Sequence, residues 1–90
     1  MMERKILFAD DDAEIREVVR ILLEGEGYRV DEAADGISAV SMADDTYDLI
    51  ILDVMMPGRS GFSACAEIRK KSVVPILLLT ARPQDSEKTR

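Results

Sequence analysis

The chain has 90 residues, 12 of them Lys or Arg and 18 Asp or Glu, and 47% are hydrophobic. That length holds one domain, and the composition is globular rather than disordered. A net charge of −6 argues against nucleic-acid contact by this chain, because such affinity is built from clustered Lys and Arg.

Cys65 is the single cysteine and there is no histidine, which rules out an intrachain disulfide and the usual His/Cys zinc site. A reducing, cytoplasmic setting is therefore expected. The first apolar run, Ile6-Leu7-Phe8-Ala9, is too short for a signal-peptide core, and no stretch approaches a membrane span.

In chain order, Ile6–Ala9 reads as a strand buried on both faces, since it is continuously apolar and too short for a helix. Ile15, Val18, Val19 and Leu22 then form the stripe of an amphipathic helix, with Asp11 and Glu14 as its expected capping box and a stop near Gly25-Glu26-Gly27. Tyr28–Ala33 alternates as a more exposed strand. A short helix is expected over Gly36–Ala43, capped by Asp35 and turning Ile37, Val40 and Ala43 inward. Leu49–Leu52 is the third strand. Gly61–Lys71 is the third helix, with Phe62, Cys65 and Ile68 inward and Arg69-Lys70-Lys71 at its negative pole. Ile76–Leu79 is the fourth strand, with Pro75 where a missing N–H costs least. Pro83–Arg90 reads as the start of a fourth helix.

Regular alternation of strand and helix predicts an α/β doubly wound parallel sheet, and ligands of such sheets bind beyond the carboxyl ends of the strands. Those ends carry Asp10-Asp11-Asp12 after the first strand, Asp53 after the third, and Thr80-Ala81 after the fourth. A strand order of 2-1-3-4 gathers them on one patch. Each carboxylate pair repels by about 4 kcal/mol at 4 Å with an effective dielectric near 20. Either a carboxyl stays protonated or a cation sits among them, and an all-oxygen donor set favours Mg²⁺, which keeps positions free for phosphate oxygens. With that charge screened, Asp53 is a candidate nucleophile toward phosphorus and Thr80 a hydroxyl donor to a phosphoryl oxygen.

Taken singly, these residues have plainer readings: Asp10-Asp11-Asp12 as a solvated helix start, Asp53 as a strand-end cap, Thr80 as a loop donor. Their joint placement favours chemistry. A phosphatase that uses a strand-end aspartate nucleophile needs a second Asp two residues on, where Met55 stands. A nucleotide binder of this fold needs a Gly-rich or Ser/Thr-rich phosphate loop where the three aspartates stand.

The Asp10-Asp11 pair after Lys5–Ala9, the run Leu49-Ile50-Ile51-Leu52-Asp53-Val54-Met55-Met56-Pro57-Gly58, Gly61 and Thr80-Ala81 together resemble a bacterial two-component response-regulator receiver domain. The resemblance covers the whole chain. It implies a flavodoxin-like fold, Asp53 as phosphoacceptor, and Mg²⁺ bound by Asp11 directly, by Asp10 through water, by Asp53 and by the Met55 backbone carbonyl. Thr80 becomes the switch hydroxyl, Thr80 and Ala81 bind phosphate, and Met55 and Arg82 flank the phosphoryl group.

A sensor histidine kinase is the implied donor, with a downstream effector domain or protein as partner. The alternative is a receiver-like interaction module that takes no phosphate. Set against the family pattern, residues 1–90 read as one receiver domain lacking the rest of the fourth helix, the fifth strand with its aromatic switch residue and terminal lysine, and the fifth helix. Lys88 is no substitute for that lysine. An open edge at the fourth strand invites dimerisation or domain swapping.

Overall fold

The computed structural model describes residues 3–79. Its elements are β1 (Lys5–Ala9), α1 (Ala13–Gly25), β2 (Arg29–Ala33), α2 (Gly36–Met42), β3 (Leu49–Asp53), α3 (Gly61–Arg69) and β4 (Ile76–Leu79). The strands form one parallel sheet in the order β2-β1-β3-β4, as expected from the sequence. Thr80, Ala81, Arg82, Lys88 and the expected fourth helix lie outside the described residues.

Alternation along each strand divides the core in two. Leu7, Ala9, Ile50 and Leu52 pack with Ala39 of α2 and with Ala64 and Ile68 of α3. Ile6, Phe8, Val30 and Ile51 form the other side, where Val19 and Leu23 of α1 cover them.

Local signals set the helix ends. Gly27 adopts a φ of +98° just beyond α1, a left-handed conformation that glycine takes without a Cβ clash. Asp35 caps α2 as expected, accepting the Ser38 N–H at 2.7 Å. For α1 the cap is Asp12 and not Asp11: its Oδ1 accepts the N–H groups of Glu14 at 2.9 Å and Ile15 at 3.4 Å. The helix starts one residue later than a box built on Asp11 and Glu14 requires, and this releases Asp11.

The expected inner faces also need correction. In α1, Ile15, Val18 and Leu22 are exposed, while Arg16, Val19, Arg20 and Leu23 turn toward the sheet. Two arginines can occupy that face because Glu32 of β2 receives both. In α2, Ala39 and the capping Ala43 are buried and Val40 is half-buried, but Ile37 is exposed. In α3, Gly61, Ala64 and Ile68 face the core, Cys65 is half-buried, and Phe62 is 59% exposed. That helix ends at Arg69, so Lys70 and Lys71 belong to the following turn. In β4, Ile76 and Leu78 are half-buried and Leu77 and Leu79 exposed, as suits the last strand of the sheet among the described residues.

Candidate metal and phosphoryl site

The strand register assembles the site. Ala9 lies opposite Leu52 across β1 and β3, so Asp10 and Asp53 leave adjacent strands side by side. One carboxylate oxygen from each of Asp10, Asp11 and Asp53 lies within 4.8 Å of the other two. Asp12, the third of the aspartates, is turned away to its capping role. Among the described residues this is the one acidic group of three that fits a metal ion.

The three carboxyls sit in different surroundings. Asp10 is only 5% exposed, Asp53 is half-buried and Asp11 is exposed. Burial pushes the Asp10 carboxyl above the ordinary aspartate range; the Asp12 N–H donating to its Oδ1 at 2.9 Å opposes this, and the charges of Asp53, Asp11 and Asp12 reinforce it. Burial and the neighbouring charges thus act in the same direction on Asp10. An all-oxygen, part-exposed cluster at this spacing suits a hard divalent cation that keeps some of its water.

The β3–α3 loop is shaped around Asp53. Asp53 Oδ1 accepts the Met55 N–H at 3.2 Å, and the Gly61 N–H donates to the Val54 carbonyl at 2.9 Å. A Cβ on Gly61 would stand 2.5 Å from the Asp53 carbonyl oxygen, so this close return of the chain requires glycine. The Met55 side chain is exposed, whereas Met56 is buried in the core. Met55 therefore fills no core space, and Met56 does. Ser60, which sequence reasoning passed over, caps α3 by accepting the Ser63 N–H.

Residues 6–90 match the family described as response regulator receiver domain. The chain belongs to that family. Receiver domains of this family are components of two-component systems. This receiver is 44% identical over 98% of its length to the transcriptional regulatory protein ResD of Bacillus subtilis, and it spans 37% of that relative. Among solved structures it resembles the response regulator TrrA of Thermotoga maritima in complex with Mg²⁺ and BeF, at 41% identity and TM-score 0.79, covering 93% of this chain and 75% of that one. It also resembles the receiver domain of a Pseudomonas aeruginosa sensor histidine kinase with magnesium coordinated in its active-site cleft, at 34% identity and TM-score 0.81, covering 99% and 76% of the two chains. No helix among the described residues of this receiver is long and apolar enough to cross a membrane.

A further arginine completes the surroundings of the acids. Arg16 Nη1 donates to the Asp10 backbone carbonyl at 2.7 Å. Sequence reasoning missed it because α1 has two apolar edges, and the stripe Ile15, Val18, Leu22 is as regular as the one that faces the sheet. The available signal was Glu32, a carboxylate inside a strand that calls for a cationic partner.

Proposed function

We propose that this receiver is a phosphorylation switch whose acceptor is Asp53. The reading is carried by the meeting of Asp10, Asp11 and Asp53 at the carboxyl ends of adjacent strands. A carboxylate oxygen of Asp53 attacks the phosphorus of a phosphohistidine on a sensor kinase, or of a small acyl phosphate. The new O–P bond forms as the donor's P–N or P–O bond breaks, and the electron pair leaves with the donor nitrogen or oxygen.

Asp10, Asp11, Asp53 and the Met55 backbone carbonyl are the groups that hold Mg²⁺ in this reading. Bound there, it supplies the charge that lets an anionic nucleophile meet an anionic phosphoryl group. The relatives with magnesium support this assignment. Buried Asp10 fixes the inner wall, exposed Asp11 faces incoming solvent and donor, and the Met55 N–H holds one oxygen of Asp53 so that the other is presented. Thr80 and Ala81 receive the phosphoryl oxygens and Arg82 flanks them. Hydrolysis at Asp53 returns the switch to its starting state, without turnover of an external substrate.

Residues 1–90 form one receiver domain in this proposal, acting in the cytoplasm between a sensor histidine kinase and an effector domain or protein. Among the described residues β4 ends the sheet, and in this proposal a second copy pairs there. Intact-mass measurement after incubation with acetyl phosphate and Mg²⁺ tests the switch. One added phosphoryl group is expected, absent in Asp53→Asn and absent with EDTA. A folded chain that stays unmodified leaves the reading of a protein-interaction module that takes no phosphate.

A further inference from the structure

Arg16 stands one helical turn past the Asp12 cap, its N–H bonded to the Asp12 carbonyl at 3.0 Å. Its side chain, 17% exposed, reaches back under the β1–α1 turn. There Nη1 donates to the Asp10 carbonyl at 2.7 Å and Nε donates to Glu32 Oε1 at 3.1 Å. The second oxygen of Glu32 accepts from Arg20 Nε at 2.7 Å. Asp10 is thereby held at three points: its N–H donates to the Ala33 carbonyl at 3.1 Å, its carbonyl accepts from Arg16, and its Oδ1 accepts from the Asp12 N–H. Oδ2 has no hydrogen-bond partner among the described residues, which leaves it available to the acidic site.

We infer that Arg16, set in place by Glu32, is a positioning residue for the cation site of Asp10, Asp11 and Asp53. The inference rests on the cation reading proposed above. Its electrostatics and its geometry pull in opposite directions. A guanidinium behind a cation site weakens cation binding through like charge, and Glu32 offsets part of that charge. What Arg16 contributes is orientation: a planar fork spans a carbonyl and a carboxylate at once and fixes the peptide that carries Asp10. Outer groups that orient metal ligands are commonly worth tenfold or more in metal affinity.

The opposed signs make the role measurable. Mn²⁺ binding is followed by the electron paramagnetic resonance of the free ion, on the whole chain, well below the thermal midpoint of each variant. Arg16→Met is expected to weaken Mn²⁺ binding about tenfold. Arg16→Lys keeps the charge but not the fork, and is expected to weaken it about threefold to fivefold. Arg20→Met, which removes the outer partner of Glu32 and the Glu24 ion pair but no contact to Asp10, stays within about twofold of the parent.

A role confined to stability lowers the thermal midpoint of Arg16→Met without changing its affinity, and a purely electrostatic role tightens binding. Either result overturns the inference. Should Arg16→Met fail to fold, Arg16→Lys decides, and parent-like affinity in that variant overturns the inference. A folded parent that binds no Mn²⁺ overturns the cation reading itself, an outcome distinct from a parent that binds and an Arg16 variant that binds equally well.

Discussion

The two faces of the sheet are built by different means. On the α2/α3 face, Leu7, Ile50, Leu52, Ala39, Ala64 and Ile68 are fully buried and the helices lie close, with Gly36 pressed against the backbone of Arg59. On the α1 face, only Val19 and Leu23 of the helix cover the sheet, Arg16 and Arg20 reach across to Glu32, and Ile15, Val18 and Leu22 are exposed. Apolar packing fixes the first face; on the second a smaller apolar cluster is joined by a polar clamp that reaches the loop carrying Asp10 and Asp11. The bulk of the apolar core and the clamp behind the site therefore draw on different residues.

The largest expected effect contrasts the faces directly. Leu52→Ala and Ile50→Ala are expected to cost about 3–4 kcal/mol each, from lost burial plus the cavity left behind, whereas Leu22→Ala at 65% exposure costs less than about 0.5 kcal/mol. Urea unfolding followed by circular dichroism reads the difference. Comparable losses at all three positions would mean that the outer stripe of α1 is covered after all.

Gly61→Ala comes next, because the new Cβ meets the Asp53 carbonyl and the Val54 Cα. A loss of about 1–3 kcal/mol is expected, together with slower phosphoryl acceptance at Asp53. The same change at Gly25, which has open space around it, spares acceptance.

The acidic site should store instability that the core does not. Asp10→Asn keeps an acceptor for the Asp12 N–H and removes one of three gathered charges. It is expected to stabilise the metal-free chain at pH 7 by about 1 kcal/mol, and to abolish the stabilisation that Mg²⁺ gives the parent.

The pH dependence has a definite sign. The folded carboxyl of Asp10 titrates above its ordinary value, so the folded state holds the proton longer than the unfolded chain does. Its contribution is most favourable below the ordinary aspartate range and is lost as pH rises from there through the raised value. Thermal melts without metal across that window should show a smaller decline for Asp10→Asn than for the parent.

An effect confined to stability is expected at Tyr47→Phe, which removes the hydroxyl that donates to Asp31 Oδ2 at 2.7 Å and costs about 1 kcal/mol without touching the site. Mg²⁺ affinity should be unchanged in that variant.

Strand order, element types and the three converging aspartates were legible in the sequence, because continuous apolar runs identify buried strands and strand-end acids stand out against them. What sequence did not resolve was helix rotation. Ile15 and Leu22 versus Val19 and Leu23, or Phe62 versus Ala64, are choices between two plausible stripes, and the decision lies in tertiary partners such as Glu32 for the arginines of α1. The exchange of Asp11 for Asp12 as cap has a similar origin. Three consecutive aspartates can all cap, and the buried position of Asp10 determines which of the next two is free for the site.

The central claim is that Asp53 takes the phosphoryl group. Its most direct test is to treat the chain with acetyl phosphate and Mg²⁺, trap acyl phosphate by borohydride reduction, and locate the reduced residue by peptide mass spectrometry. The account predicts reduction at Asp53 alone, lost when Mg²⁺ is withheld. Reduction at Asp10, Asp11 or Asp12 instead, or none in a chain shown to be folded and to bind the metal, would contradict it.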